Sequence, residues 1–278
     1  MKAENGSTKS GVIASIGSRI GRFSEIGILI GFLAMVAIFS VLSQNFLTVH
    51  NIFSIARQSS INGVIALGLT LVIISGGIDL SVGSIVAMVA VFSATWMERG
   101  MPVPAAIALG IGAGAAAGLV NGLLISKVNL AAFIVTLGSM SYLRGIALVF
   151  SKGRPVYGVP ASVRWLGNGQ FLGIPAPVIV FALMVVLSLV LLHRTRFGEY
   201  TFAIGGNEEA VRVSGVNVVA YKTAVYVFSG FCSAIAALIL MARINAAEPI
   251  AAIGAELDAI AAAVMGGTSL SGGVGTVV

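Results

Sequence analysis

Long apolar runs separated by short polar segments make up most of this chain. Each run contains few or no charged residues, and a helix needs about 20 such residues to cross a hydrocarbon core about 30 Å thick. The pattern therefore predicts an all-α fold, a polytopic bundle of transmembrane helices. The runs cover residues 26–42, 61–75, 82–97, 104–125, 130–150, 176–192 and 224–241.

An eighth apolar run begins near Leu257 and continues to Val278 without a polar flank. We therefore expect about eight spans in this sequence, with the C-terminal spans missing from it. The expected organisation begins with a cytoplasmic N-terminal segment at residues 1–24, with residues 12–26 patterned for an interfacial helix. A transmembrane domain over residues 25–278 follows, and a cytoplasmic loop over residues 194–222 interrupts it.

Composition and charge support a membrane protein. Hydrophobic residues form 58% of the chain and charged residues only 9%, whereas charged residues are about a quarter of an ordinary soluble domain. The net charge of +6 comes from thinly spread basic residues, so we expect no nucleic-acid partner. Basic residues favour cytoplasmic segments. The N-terminus is therefore expected in the cytoplasm, on the same side as Lys127 and the loop at 194–222, because the first apolar run follows Lys2, Lys9, Arg19 and Arg22.

One acid lies inside the apolar stretch from residue 61 to residue 97. It is Asp79, in the sequence Gly76-Gly77-Ile78-Asp79-Leu80-Ser81-Val82-Gly83. A carboxylate at the centre of a span costs about 2.5–3.5 kcal/mol, so it must be hidden in protein or placed where water reaches it. The adjacent glycines favour a tight turn or re-entrant bend at which water reaches the acid. The alternative is an ordinary loop in which Asp79 is the N-cap of the next helix.

A second glycine motif follows the first by 190 positions. It shares five of eight residues with the first, and it reads Gly266-Gly267-Thr268-Ser269-Leu270-Ser271-Gly272-Gly273. Each motif follows an apolar run and opens another, which favours an internal repeat over chance. Transporters are often built from such repeats, with the substrate path at their interface. Ser269 replaces Asp79 in the second copy, so the charge belongs to one half only.

The fourth run carries glycine at every fourth position: Gly110, Gly114, Gly118 and Gly122. This spacing lines one helix face with small residues and allows close helix packing. This glycine stripe has three possible roles. It could pack against a helix of the same subunit, form a subunit interface or line the solute pathway. Asn121 lies beside it and needs a polar partner in a bilayer, for which a polar substrate is one candidate.

The cytoplasmic loop contains a complete set of signals for a short helix. Asn207 is an N-cap residue type, Glu208 and Glu209 place negative charge in the first turn, and Gly215 ends the helix. Glu208 lies four residues before Arg212, the spacing of a helical ion pair. Because a helix of about seven residues is not stable alone in water, we expect it to dock on its own subunit or on a partner protein. A plain surface connector is the alternative.

Several kinds of chemistry are excluded by what the sequence lacks. Cys232 is the only cysteine, so an intrachain disulfide and a cysteine-type metal site are excluded. The two histidines, His50 and His193, lie at the edges of runs and form no ligand cluster. There is no G-x-x-x-x-G-K-[ST] phosphate loop, so ATP must bind another polypeptide. We therefore expect no cofactor, metal or catalytic site in this chain.

Three segments in order resemble the ribose/xylose/arabinose/galactoside type of ABC transporter permease: residues 76–83, 203–215 and 265–273. The resemblance covers most of the chain after about Phe46. It implies a type II importer-like subunit of the bacterial inner membrane, working as a homo- or heterodimer. It also implies a cytosolic subunit that binds ATP and magnesium, and a periplasmic sugar-binding protein that delivers the substrate. Family members commonly have more spans than this sequence contains.

By position, the resemblance also implies a coupling segment that contacts the ATPase. Its residues are Gly205, Gly206, Asn207, Glu208, Glu209, Arg212 and Gly215. The candidates for the solute pathway are Asp79, Asn121, Tyr142 and Arg144, because polar and aromatic groups suit a sugar ring and its hydroxyls. Aromatic residues in such positions, including Tyr157 and Trp165 in the outer loop, are more often interface residues.

A rival hypothesis is a proton- or cation-coupled secondary transporter with Asp79 as its coupling carboxylate. It predicts transport without ATP. A membrane-embedded enzyme is disfavoured, because no second acid, histidine pair or metal set shares the membrane depth of Asp79.

Overall fold

The computed structural model of this chain describes Gly27 and residues 29–277, so the expectations for residues 1–24 and 12–26 lie outside the described residues. The first helix there is α1 (Leu29–Leu42). The elements that follow are α2 (Val49–Ile74), α3 (Val82–Glu98), α4 (Val103–Ser126), α5 (Ala132–Phe150), β1 (Val156–Tyr157), α6 (Ala161–Asn168), β2 (Gln170–Phe171), β3 (Ile174–Pro175), α7 (Ala176–Arg194), α8 (Arg196–Val213), α9 (Val218–Ile244), β4 (Ala246–Ala247) and α10 (Ala255–Met265).

Where the structure describes them, the first seven predicted apolar runs lie mainly on helices, and the predicted helical bundle is confirmed; the eighth run is helical only as far as Met265. In the described part of the chain, five helices are long and apolar enough to cross a membrane: α2, α4, α5, α7 and α9. Helices α1 and α3 are apolar but shorter, and α10 has 11 residues. Helix α2 begins at Val49, well before residue 61. The hydropathy pattern missed this part of the helix, because its first turns carry polar residues.

The structure divides into two compact units, the first ending at Ile55. In the first unit, nearly all side chains of α1 are exposed, including Leu29, Phe32 and Val41. An apolar helix with such a surface suits a lipid environment. The connection to α2 is closed by the Asn51 side chain, whose Nδ2 donates to the Phe46 carbonyl at 2.8 Å.

In the second unit, from Ala56 onward, two long helices form the centre and three form the periphery. About 72% of the apolar window is buried in α2 and in α9, against 22% in α4 and α5 and 28% in α7. Helix α3 is buried along almost its whole length. The exposed apolar side chains of α4, α5 and α7 therefore lie on the outside of this unit, where they suit lipid or another subunit.

The glycine stripe of α4 packs mainly on α9 within the same chain. A methyl group at Gly114, Gly118 or Gly122 would overlap backbone atoms of α9, whereas one at Gly110 would meet Ser93 of α3. At the end of this contact, the hydroxyls of Ser126 and Thr223 lie 2.8 Å apart and share a hydrogen bond. The stripe thus allows two backbones to touch, as small residues do between membrane helices.

Short strands join the ends of these helices. β1 pairs antiparallel with β4, with Val156 opposite Ala247, and β2 pairs with β3 across a tight turn. Asn168 at the end of α6 donates through Nδ2 to the carbonyls of Ala242 and Arg243, both at 3.1 Å. The segment between α5 and α7 is therefore held against the C-terminal end of α9.

Candidate functional site

Helix α2 ends at the first glycine motif in a Schellman arrangement. Gly76 has φ +78°, and its N–H donates to the Ile73 carbonyl at 2.9 Å, while the Gly77 N–H donates to Val72 at 2.9 Å. This pairing satisfies the last carbonyls of a helix and needs a residue that accepts a positive φ, which glycine does. The chain then turns over residues 78–81 before α3 begins.

Asp79 lies in this turn with its carboxylate completely buried. Oδ1 accepts from the Ser81 N–H at 3.0 Å and from the Ser81 hydroxyl at 2.6 Å, and Oδ2 accepts from the Ser229 hydroxyl of α9 at 2.8 Å. In the described part of the chain, no basic side chain lies within ion-pair distance of it. Three donors on one carboxyl group satisfy the hydrogen bonding of its two oxygens although no counter-ion lies beside it.

Two expectations for Asp79 were therefore wrong. The acid does not reach water, since protein surrounds it on every side. Nor is it the N-cap residue of α3, which is Ser81. Asp79 instead accepts from the backbone two residues further on, as aspartate does in an Asx-turn. Ser229 was not found from sequence because it lies 150 residues away, although a serine inside an apolar span is the kind of signal that marks a polar contact.

The hydrogen-bond network continues from Ser81 to two further helices. Asn121 of α4 donates through Nδ2 to the Ser81 hydroxyl at 2.9 Å, and the Ser139 hydroxyl of α5 donates to Asn121 Oδ1 at 2.5 Å. Asn121 is 1% exposed. Its predicted need for a partner is thus met by protein groups, and the network joins α3, α4, α5 and α9 at one level.

The second glycine motif also ends a helix in a Schellman arrangement, one residue later than its alignment with the first motif places it. Gly267 has φ +91°; its N–H donates to Val264 at 3.0 Å, and the Thr268 N–H donates to Ala263 at 3.1 Å. The Ser271 N–H then donates to Ser269 Oγ at 3.3 Å, in the place where Ser81 binds Asp79. The internal repeat remains a prediction, because the positive φ falls on Gly76 in the first motif but on Gly267, the counterpart of Gly77, in the second. In addition, α3 follows the first motif, whereas residues 268–277 after the second are not helical.

Both glycine motifs meet the predicted coupling segment. The Gly273 N–H donates to the Ile74 carbonyl at 2.9 Å, which joins the second motif to the end of α2. A methyl group at Gly205 would overlap this pair of backbone atoms, and one at Gly272 would press on Gly205 and Gly76. We call this contact of Gly76, Gly205, Gly206, Gly272 and Gly273 the glycine junction.

The coupling segment lies in the second half of α8. The extended conformation of Asn207 (φ −159°, ψ 93°) divides α8 into two helical parts, and the part after Asn207 is the predicted short helix. As predicted, Asn207 caps the second half: its Oδ1 accepts from the Ala210 N–H at 2.9 Å. Gly215, with φ +83°, ends the helix.

Glu208 fixes this segment to the bundle. Its Oε1 pairs with Arg212 Nη2 at 2.6 Å, as the spacing predicted, and its Oε2 pairs with Lys222 Nζ of α9 at 2.7 Å. Glu209 is different, because its side chain is 74% exposed and its nearest cation, Arg212, is 3.8 Å away. The adjacent surface has an open groove of about 320 Å³, lined by Tyr200, Ala203, Asn207, Val211, Ser214 and Val216.

The remaining pathway candidates, Arg144 and Tyr142, do not join the Asp79 network. Arg144 Nη1 donates to the carbonyls of Pro249 and Ala251, at 3.0 and 2.6 Å, and thereby holds the loop before α10 against α5. Tyr142 is 69% exposed. The four candidates therefore lie in three separate places. Asp79 and Asn121 share one hydrogen-bond network, and Arg144 and Tyr142 each lie elsewhere.

The comparison with known families agrees with this architecture. Residues 51–278 match the family described as branched-chain amino acid transport system / permease component. The match covers most of the chain. The chain belongs to this permease family.

Several curated relatives are similar over nearly the whole chain. Ribose import permease protein RbsC of Bacillus subtilis is 46% identical over 260 residues, which are 93% of this chain and 81% of the relative. The protein of the same name from Escherichia coli K12 is 43% identical over 254 residues, 90% of this chain and 79% of the relative. The D-allose transport system permease protein AlsC of that strain is 42% identical over 246 residues, which are 87% of this chain and 75% of the relative. No solved structure matches the chain.

Proposed function

We propose that this chain is the membrane-spanning permease subunit of an importer that is driven by ATP hydrolysis on a separate cytosolic subunit. Its substrate is a monosaccharide or a similar small polar solute, delivered by a periplasmic binding protein. The subunit works in the bacterial inner membrane with its N-terminus in the cytoplasm, next to a second permease subunit. ATP and magnesium bind to the partner ATPase.

The family and its relatives support the transport role and the solute class. The relatives named for ribose and allose are permeases, and each is more than 40% identical to this chain. The five helices of membrane-spanning length agree with a multi-pass protein. The absence of a phosphate loop from the 278 residues supports a separate energy source.

The observation that carries the coupling role is the position of α8. Its second half presents the exposed acid Glu209 and the adjoining groove, and its Gly205 backbone lies directly against the end of α2. A protein bound to this surface therefore contacts an element that touches both glycine motifs. Because α8 is in direct contact with both glycine motifs, it can carry a conformational change from a bound protein to the membrane helices.

The test is a charge reversal at Glu209. Because its ion pair with Arg212 is long and exposed, it contributes about 0–1 kcal/mol, so Glu209→Lys is expected to insert and fold normally. The variant should lose ATPase association and uptake. The matched control is Glu199→Lys, a change of another exposed acid in the first turn of the same helix. Unchanged association and uptake in Glu209→Lys would contradict the coupling role.

The energy source is tested separately in vesicles. Uptake should require ATP and the binding protein, and it should persist when the proton gradient is collapsed. Uptake by this chain alone, driven by a gradient, would establish the secondary transporter instead.

A further inference from the structure

A second cavity lies beside the Asp79 network, one helical turn further along α3. It has a volume of about 330 Å³, which lies within the range of about 300–1,000 Å³ that is typical of small-molecule sites. Its walls come from the first turn of α3, the middle of α5 and the start of α10, and the residues used below are Ser84, Ser141, Arg144, Ile253 and Glu256.

The polar groups of this cavity are only partly used by the protein. The Ser84 hydroxyl is buried and has no hydrogen-bond partner among the described residues. Glu256 is half-buried, and no hydrogen bond or ion pair of its carboxylate occurs in the described part of the chain. A buried polar group without a partner costs about 1–3 kcal/mol. These groups are therefore available to a ligand.

Arg144 and Glu256 place opposite charges on two walls of the same cavity. The guanidinium is held by the Pro249 and Ala251 carbonyls through Nη1 alone, and the two side chains interact electrostatically. The net charge of the pair is zero, so the cavity does not favour a ligand of either sign. Arg144 supplies donors and Glu256 supplies acceptors, and a sugar hydroxyl can both accept and donate.

The remaining lining suits the carbon face of a sugar ring. Met140, Leu148 and Ile253 contribute apolar side chains, and Gly145 leaves the wall flat. A neutral polyol combines hydroxyl edges with such C–H faces. A zwitterionic amino acid would also find one cation and one anion, but its charges would have to separate the Arg144–Glu256 pair.

We propose that this cavity is a transient binding site for a neutral monosaccharide on its way through the permease. The assignment rests on the proposed function and adds to it the place of the solute and the residues that contact it. Glu256 accepts from sugar hydroxyls, Arg144 donates to them, and the Ser84 hydroxyl gains its missing partner. Hydrogen bonds to charged groups are the stronger ones, so Glu256 should contribute most to affinity.

The test measures protection of a single cysteine in the purified full-length protein. Cys232→Ala removes the only native cysteine, and Ser141→Cys then places a thiol on the cavity wall. D-ribose at about ten times its dissociation constant should slow maleimide labelling about tenfold, because the unoccupied fraction falls accordingly. The control is Ser151→Cys, at the partly exposed C-cap of the same helix and outside the cavity lining, where ribose should change nothing.

Two substitutions locate the contacts. Glu256→Gln and Ser84→Ala should each raise the ribose concentration needed for protection, Glu256→Gln by about tenfold. Asp258→Asn, an exposed acid on the same helix, and Ser93→Ala, another buried serine of α3 without a partner in the described residues, should leave it unchanged. Labelling of Ser151→Cys in each background reports whether the fold is intact.

The possible results separate the site from the function. If ribose, D-allose and L-arabinose all fail to protect Ser141→Cys while the assembled importer still transports one of them, the site is wrong and the permease function stands. Protection by L-leucine instead of sugars would overturn the ligand class. Protection that is equally strong in Glu256→Gln and Ser84→Ala would overturn the cavity assignment. Absence of any transport by the assembled wild-type importer would count against the function itself.

Discussion

The Asp79 turn gives a sharp prediction because two substitutions remove the same carboxyl group and only one of them keeps its hydrogen bonds. In Asp79→Asn, the amide oxygen still accepts from the Ser81 N–H and hydroxyl, and the amide nitrogen can donate to the Ser229 hydroxyl, which rotates to accept. In Asp79→Ala, all three donors lose their acceptor. Loss of the carboxyl group is common to both variants and cancels in the comparison.

The size of the difference follows from the donors that cannot find another partner. The Ser229 hydroxyl can rotate to a carbonyl of its own helix, but the Ser81 N–H and hydroxyl lie before the first turn of α3 and have no such alternative. Each buried unsatisfied group costs about 1–3 kcal/mol, so Asp79→Ala should be less stable than Asp79→Asn by about 2–6 kcal/mol. Asp79→Ser should fall between them, because a serine hydroxyl can accept from the backbone two residues further on, as Ser269 does from the Ser271 N–H.

The assay is thermal unfolding of the purified full-length variants in detergent, combined with initial uptake in proteoliposomes across pH. We expect unfolding temperatures in the order Asn, Ser, Ala at position 79, and near-normal uptake for Asp79→Asn with the pH dependence of the wild type. Equal stability of the Asn and Ala variants would refute the hydrogen-bonding role. An inserted, stable Asp79→Asn variant without transport would refute the structural role and favour the carboxylate as a carrier.

Two further predictions concern glycines. Gly118→Ala should destabilise the protein by about 1–3 kcal/mol, because its methyl group meets the Tyr226 carbonyl, while Gly112→Ala on the same helix meets nothing within 4 Å. Thermal unfolding compares the two, and equal values would contradict the packing. Gly205→Ala should abolish uptake by disrupting the glycine junction, whereas Gly138→Ala in α5, with open space around its added methyl group, should transport normally. Equal uptake by these two variants would contradict the junction.

Local signals in the sequence were sufficient for the helices and their ends. The cap at Asn207, the ion pair of Glu208 with Arg212 and the stop at Gly215 are all present, because each depends on residues no more than a few positions apart. Ser269, which aligns with Asp79, could also be identified from the local sequence. Hydropathy was less reliable where polar residues occupy a helix, as in the first turns of α2.

Contacts between distant segments were not predictable from one sequence. Whether Asp79 reaches water depends on Ser229 and on the helices packed around the turn, and no local pattern encodes that. The contact between Glu256 and Gly83 was also not predictable from local sequence. A methyl group added at Gly83 would press on the Glu256 carboxylate. Arg144 was singled out by its residue type, but its role in holding the loop at Pro249 and Ala251 required the fold.

The two places of functional interest are connected through the first turn of α3. Glycine backbones meet at the junction without side chains between them, so a displacement of α8 cannot be absorbed by rotamer changes there and must move the end of α2 or the segment after α10. The end of α2 leads within seven residues to the Asp79 turn, whose hydrogen bonds fix α3 to α4 and α9. Ser84, in the wall of the second cavity, follows Ser81 by one helical turn. We therefore expect a movement at the surface of α8 to reach the cavity wall through backbone contacts and buried hydrogen bonds, which is why Gly205→Ala is expected to stop transport.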